Sequence, residues 1–182
     1  MKHEIIIAGF GGQGVLSMGK ILAYSGLMED KEVTWMPAYG PTMRGGKANC
    51  VVKYGEMPEE KIGSPVMEYA DVLVAMNVPA LDYLEFCKPD CTVFANAHNV
   101  PEDQQYPAGV KVVRLDCAEL AEKAENPKGQ SLVMVGAIIK HLGWFDGAFA
   151  RDSLMDFFVH KGKEKFAQAN VRAFDVGYEE VK

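Results

Sequence analysis

Two glycine-rich loops hold the residues best suited to chemistry. Gly9-Phe10-Gly11-Gly12-Gln13-Gly14 follows the apolar run Ile5-Ile6-Ile7 and opens an amphipathic segment. A Gly-x-Gly-x-x-Gly spacing between a strand and a helix lets the backbone turn tightly and brings free helix N–H groups toward an anion. A dinucleotide site also wants an acidic residue at the end of the second strand to hold a ribose. Here that strand ends in Trp35, Met36 and Pro37, while Glu29, Asp30 and Glu32 all precede it. A nicotinamide site is thus poorly supported; tight strand–helix packing and an anion- or partner-facing loop both remain open. The second loop is Tyr39-Gly40-Pro41-Thr42-Met43-Arg44-Gly45-Gly46. An arginine beside two glycines can reach a phosphate or carboxylate with bidentate geometry, or it can simply face solvent. Tyr39 can stack, donate from its hydroxyl, or pack as a surface aromatic. Both loops follow strands, so both are expected at the carboxyl edge of one sheet, where open α/β sheets bind ligands.

The other reactive side chains are scattered. The serines and histidines form no Ser-His-Asp order. His98 follows a strand end, where a hydrogen-bonded structural role outweighs ligand contact. His141 is expected near a helix C-terminus as a dipole partner. Cys50, Cys87, Cys91 and Cys117 include no C-x-x-C pair and no zinc or iron–sulfur spacing, so reduced thiols are expected. Residue by residue, the chain looks like a binding domain without its own catalytic group.

The elements that must position these loops are legible in the hydrophobic pattern. Strands are expected at Glu4–Ala8, Val33–Met36, Ala48–Tyr54, Asp71–Met76, Thr92–Ala95 and Lys111–Leu115. Helices are expected at Val15–Met28, Pro79–Cys87 and Ala118–Ala124. Ser131 is expected to cap an apolar, buried helix over Leu132–Leu142. A last helix spans Arg151 to about Asn170, with a break allowed near Lys161-Gly162. Asp71 reads as a turn or cap residue. Met18, Met36, Met76, Met134 and Met155 read as core filling. Nearly all-apolar strands alternating with helices predict an α/β fold: one doubly wound, mostly parallel, Rossmann-like sheet with helices on both faces. Residues 1–182 read as a single domain.

Composition narrows the function classes. The chain has 182 residues, 48% apolar, with 19 basic against 25 acidic side chains and a net charge of −6. That excludes a disordered chain, and the acidic pI near 5.3 argues against a nucleic-acid binder. Lys161, Lys163 and Lys165 form the one basic cluster. No apolar run is long enough to span a membrane, and the start lacks a signal peptide, so a cytoplasmic location is expected.

Longer motifs carry a resemblance. Gly9-Phe10-Gly11-Gly12-Gln13-Gly14-Val15 resembles the G-x-G-G-Q-G-V opening of the γ subunit of 2-oxoacid:ferredoxin oxidoreductases. The loop from Tyr39 to Gly46 resembles that family's Y-G-P-E-M-R-G-G. Ala70 to Ala75 is similar to its A-D-V-L-I-A strand, Ser131 to Ala137 to its N-M-V-M-L-G-A helix start, and Asn170 to Gly177 to its final N-x-x-A-F-x-x-G. Thr42 stands where an acidic residue is usual, and Ser131 where asparagine is common. The look is closest to the 2-oxoglutarate and branched-chain members. The resemblance implies a subunit that is inactive alone and needs no cofactor of its own. Its α and β partners would carry thiamine diphosphate with magnesium, and iron–sulfur clusters would often sit in a ferredoxin-like subunit. The assembly would turn a 2-oxoacid into an acyl-CoA and reduce ferredoxin. Gly9, Gly11, Gly12, Gln13, Gly14, Tyr39, Arg44, Gly45 and Gly46 would then help frame the coenzyme A site. Trp35, Met36, Tyr39 and Met43 are candidates for a docking surface that could drive self-association of the isolated chain. The alternative is a free-standing nucleotide-binding or NAD-dependent enzyme.

Overall fold

The computed structural model describes residues 2–40, 45–55 and 61–181. Six strands form one sheet in the order β2-β3-β1-β4-β5-β6. Their ranges are β1 Lys2–Phe10, β2 Val33–Tyr39, β3 Lys47–Gly55, β4 Ala70–Ala75, β5 Cys87–Asn96 and β6 Lys111–Leu115. The β1–β4, β4–β5 and β5–β6 pairs are parallel, whereas β3 runs antiparallel to both β1 and β2. The expectation of a mostly parallel α/β sheet therefore holds, with β3 as the one reversed strand. The reason is local. Only residues 40–46 link β2 to β3, too few for the crossover a parallel pair requires.

The helices are α1 Val15–Met28, α2 Cys117–Lys123, α3 Gln130–Leu142, α4 Gly147–His160 and α5 Glu164–Glu180. On one face of the sheet, Ile5, Ile7, Val52, Val72, Val74 and Phe94 pack into the main core with residues of all five helices. On the other face, Ile6, Leu73 and Val93 are covered by Tyr83, Leu84 and Phe86 from a 3₁₀ helix over Val78–Phe86. This is the helix expected at Pro79–Cys87, wound more tightly. Asn77 caps it by accepting from Ala80 N–H at 3.1 Å. Because alternate residues of β1, β4 and β5 are buried on both faces, these strands read as unbroken apolar runs.

α3 is buried from Ser131 to Ile139, as its apolar circumference implies. It can sink that far because two glycines remove side chains where it meets α5. A Cβ on Gly136 would collide with Phe174 O, and one on Gly177 with Val133 O. The expected break near Gly162 divides α4 from α5, with Gly162 in the left-handed region at φ 64°. Asp71, read as a turn or cap residue, instead ties strands together: its carboxylate accepts from Glu4 N–H at 2.8 Å and from Lys88 Nζ. Met18, Met76 and Met134 fill the core, but Met36 is exposed on edge strand β2.

Candidate functional site at the carboxyl edge of the sheet

β1 ends at Phe10, and the glycine loop turns from it into α1. Gly14 is the residue before the helix, in the left-handed region at φ 78°, and no side chain caps the helix. The first helical bond runs from Met18 N–H to Gly14 O at 2.9 Å. The N–H groups of Val15, Leu16 and Ser17 therefore lack helical acceptors, and no acidic side chain stands in the first turn.

The two glycine loops do meet. Gly11 N–H donates to Gly46 O at 2.9 Å, and Gly45 N–H donates to Gly11 O at 3.3 Å. Both lie at the carboxyl ends of β1 and β2, the edge expected from the sequence. Gly12 and Gly45 have φ of 104° and 73°, and a Cβ on either would meet no atom of the described residues within 4 Å. Gly9 differs: a Cβ there would come within 2.8 Å of Met76 Cβ, so its glycine serves strand–helix packing.

Gln13 is the pin of the loop. Its Oε1 accepts from Phe10 N–H at 2.7 Å and from Asn77 Nδ2 at 3.0 Å, and its Nε2 donates to Met76 O at 3.2 Å. The amide thus binds the loop to the end of β4. Asn77, which holds both Gln13 and the 3₁₀ helix, was not singled out from the sequence. A polar residue directly after an apolar strand was its only signal.

The loops open into a cleft of about 530 Å³ bounded by Gly11, Gly12, Lys20, Trp35, Tyr39 and Gly46. Lys20 Nζ lies 4.8 Å from the centre of the Trp35 ring, and Tyr39 is 63% exposed. Arg44, Met43 and Thr42 fall outside the described residues. Nearby, Lys47 pairs with Asp82 at 2.8 Å, and Asn49 donates to Tyr83 Oη at 2.7 Å. These contacts tie β3 to the 3₁₀ helix beside the cleft.

Ser131 does not cap α3. The residue before that helix is Gly129, whose carbonyl accepts from Leu132 and Val133 at 2.8 and 3.0 Å, while Gly129 N–H donates to Asn126 O at 2.7 Å. The Asn126–Gly129 turn starts the helix earlier than the side-chain pattern implied. Ser131 instead faces the glycine loop: a Cβ on Gly14 would lie 2.7 Å from Ser131 Oγ. His98 is exposed, with Nδ1 3.8 Å from Asp116 Oδ1. His141 lies in the last turn of α3, as expected. All four cysteines are free thiols, and among the described residues no three His, Cys, Asp or Glu side chains gather to hold a metal ion. Among the same residues, no helix is long and apolar enough to cross a membrane.

Comparison with known proteins agrees with this architecture. A family model described as pyruvate ferredoxin/flavodoxin oxidoreductase matches residues 4–180. The chain is 35% identical over 177 residues to ketoisovalerate oxidoreductase subunit VorA of Methanothermobacter thermautotrophicus, covering 97% of this chain and 36% of that one. It is 30% identical to 2-oxoglutarate synthase subunit KorC of Methanocaldococcus jannaschii, covering 100% of this chain and 95% of that one. The chain thus spans about a third of the VorA relatives but nearly all of KorC. In fold it is similar to the γ subunit of a keto/oxoacid ferredoxin oxidoreductase from Geobacter sulfurreducens, with a TM-score of 0.79 at 22% identity over 98% and 97% of the two chains. It also matches 2-oxoglutarate:ferredoxin oxidoreductase from Magnetococcus marinus, a structure with 2-oxoglutarate, coenzyme A and succinyl-CoA bound. That match has a TM-score of 0.84 at 23% identity and covers 100% of this chain and 32% of the other. With the family model matching almost end to end, the chain belongs to the pyruvate ferredoxin/flavodoxin oxidoreductase family.

Proposed function

We propose that this chain is the γ-type subunit of a cytoplasmic 2-oxoacid:ferredoxin oxidoreductase and helps frame the site where coenzyme A accepts the acyl group. The observation that carries this reading is the pairing of Gly11 with Gly45 and Gly46. It joins two family-like motifs, distant in sequence, into one wall of a cleft. Gly9, Gly11, Gly12, Gln13 and Gly14 give that wall its shape. Tyr39, Arg44, Gly45 and Gly46 supply the groups that meet coenzyme A or a partner subunit.

Oxidative decarboxylation is assigned to α and β subunits carrying thiamine diphosphate and magnesium, with iron–sulfur clusters passing electrons to ferredoxin. The γ chain then contributes a docking surface and closes the coenzyme A site. The exposed Met36 and Tyr39 belong to that surface, which would also drive self-association of the isolated chain. Relatives named for ketoisovalerate, 2-oxoglutarate and indolepyruvate all align over nearly the whole chain, which favours substrate choice by other subunits.

Co-production with the thiamine-binding subunits tests the proposal. The complex should reduce a viologen dye only with both a 2-oxoacid and coenzyme A present, and the chain alone should be inactive. Turnover by the chain alone, or NAD-dependent activity without partners, would overturn it in favour of a free-standing enzyme.

A further inference from the structure

The parallel pairing of β4 with β5 is interrupted near its start. Ala70 pairs with Cys87, but Val72 pairs with Thr92. Two steps along β4 answer five along β5, so three extra residues bulge from the strand. In a regular strand Cys87 and Cys91 would stand about 13 Å apart, at about 3.3 Å per residue, too far to bridge. Here Cys87 and Thr92 face β4 residues only about 7 Å apart, and Cys91 directly precedes Thr92. Both cysteine side chains join one apolar cluster with Ile6, Ala70, Leu73 and Val93. Their sulfurs hydrogen-bond each other. The bulge is braced from two sides. Lys88 Nζ pairs with the Asp71 carboxylate, and Gly109, at φ 90°, lies so close to Pro89 O that a Cβ there would not fit.

The two thiols differ in access and in acidity. Cys91 is fully buried, whereas Cys87 is only partly buried, and the Pro89-Asp90 tip of the bulge is exposed. The hydrogen bond from Cys91 lowers the Cys87 pKa, with burial opposing it; the same bond, and then burial, raise that of Cys91. An outside reagent therefore meets Cys87 first, and Cys87 is the more readily ionised. The other sulfur contacts are long, 3.9 Å from Cys87 Sγ to Tyr83 O and 3.7 Å from Cys91 Sγ to Thr92 O. Cys50 and Cys117 lie in the core of the opposite face, where burial pushes each thiol up to about 12.

We propose that Cys87 and Cys91 are a modification site, a thiol pair that closes reversibly to a disulfide when a small disulfide oxidises it. The Cys87 thiolate attacks one sulfur of the oxidant R–S–S–R, breaking that bond and releasing R–S⁻. The released thiolate takes the Cys91 proton. Cys91 Sγ then attacks Cys87 Sγ in the mixed disulfide, forms the protein S–S bond and expels the second R–S⁻, which is protonated from water. Two protein thiols lose two electrons and two protons, and the oxidant becomes two R–SH. Cys87 ends the 3₁₀ helix whose Asp82 and Tyr83 bond to β3 beside the glycine-loop cleft, so the bridge ties that support to β5. None of this depends on the family reading.

The test treats the folded full chain with excess glutathione disulfide at pH 8, alkylates the remaining thiols and maps them by mass spectrometry. One peptide should carry the Cys87–Cys91 bridge, lighter by two hydrogens, and dithiothreitol should restore both thiols. Cys50 and Cys117 should react at least about tenfold more slowly. Cys91→Ala should stop the reaction at a glutathione adduct on Cys87. Cys87→Ala should abolish bridging and slow the loss of the Cys91 thiol by about tenfold or more. Full alkylation of both thiols after oxidant treatment overturns the proposal. So does a glutathione adduct that persists on Cys87 in the unmodified chain, or a bridge that recruits Cys50 or Cys117. If Cys91→Ala fails to fold, the map of the unmodified chain still decides.

Discussion

Glycine is used in opposite ways in two regions of this molecule. Where α3 crosses α5, Gly136 and Gly177 are present because there is no room: each would drive a Cβ into the facing helix backbone. At the carboxyl edge of the sheet, Gly12 and Gly45 hold positive φ, and no atom of the described residues lies within 4 Å of where a Cβ would stand. The first region is closed, and its glycines set an interhelical distance. The second is left open, and its glycines present backbone to whatever arrives. The fold is thus spent on sealing one face of the sheet and on keeping one edge accessible. The lesson is that a glycine motif means little until its surroundings are known. Gly9 shows this within a single motif, since it packs against Met76 while Gly12, three residues on, meets nothing.

The largest expected effect lies in the closed region. Gly177→Ala should cost about 3 kcal/mol, because backbone rather than a flexible side chain blocks the added methyl group. A urea midpoint within error of the unmodified chain would show that α5 moves aside freely, and the comparison would collapse.

A second test asks whether openness reaches below the surface. Cys50 lies under α1 near the glycine loop, and Cys117 lies at the start of α2 against α3. Burial pushes each thiol from 9.0 up to about 12. A thiol harder to ionise when folded contributes stability that is fully present below about pH 9 and lost as pH rises toward about 12. Stability should fall by about 3 kcal/mol between pH 8 and pH 10 from the two together. Both thiols should react equally slowly with a disulfide reagent at pH 8. Rapid modification of Cys50 alone would mean that the open edge extends into the core.

Gln13→Ala removes three hydrogen bonds, two that tie the open loop to Met76 and Asn77 just after β4 and one that it accepts from Phe10 at the end of β1. It should cost about 1.5 kcal/mol and raise hydrogen exchange at Phe10, whose N–H donates to the amide oxygen. Unchanged exchange at Phe10 would show that the glycine pairing alone holds the loop.

The smallest effect on stability is expected at Arg44. Arg44→Lys keeps the positive charge and should leave stability within about 0.5 kcal/mol. In the assembled enzyme it should raise the apparent KM for coenzyme A or weaken assembly, since lysine lacks the bidentate guanidinium. If both stay unchanged, the open loop has no role beyond its shape.

Much of this was legible in the chain. α1 and β6 fall where the sequence pattern set them: α1 is a long amphipathic run, and β6 is marked by its β-branched Val112-Val113 centre. The meeting of the two glycine loops followed from both being placed after strands. Other features were hidden for specific reasons. The reversal of β3 depended on counting the short link after β2, which strand composition does not reveal. Ser131 looked like a cap because serine commonly is one, whereas the backbone turn at Asn126–Gly129 had already begun the helix. Cys87 and Cys91 were visible as neighbours in sequence, but a regular strand would hold them apart, and nothing local announces the bulge that joins them.

The sequence by itself determined the alternation of elements, the glycine loops and the family motifs, because each depends on residues close together in the chain. Tertiary structure alone decided which glycines are crowded and which are exposed, and that Gln13 faces inward. It also decided that Ser131 faces the glycine loop. These depend on how α3 and the α4–α5 junction dock against α1, and docking is set by the volumes of many side chains together.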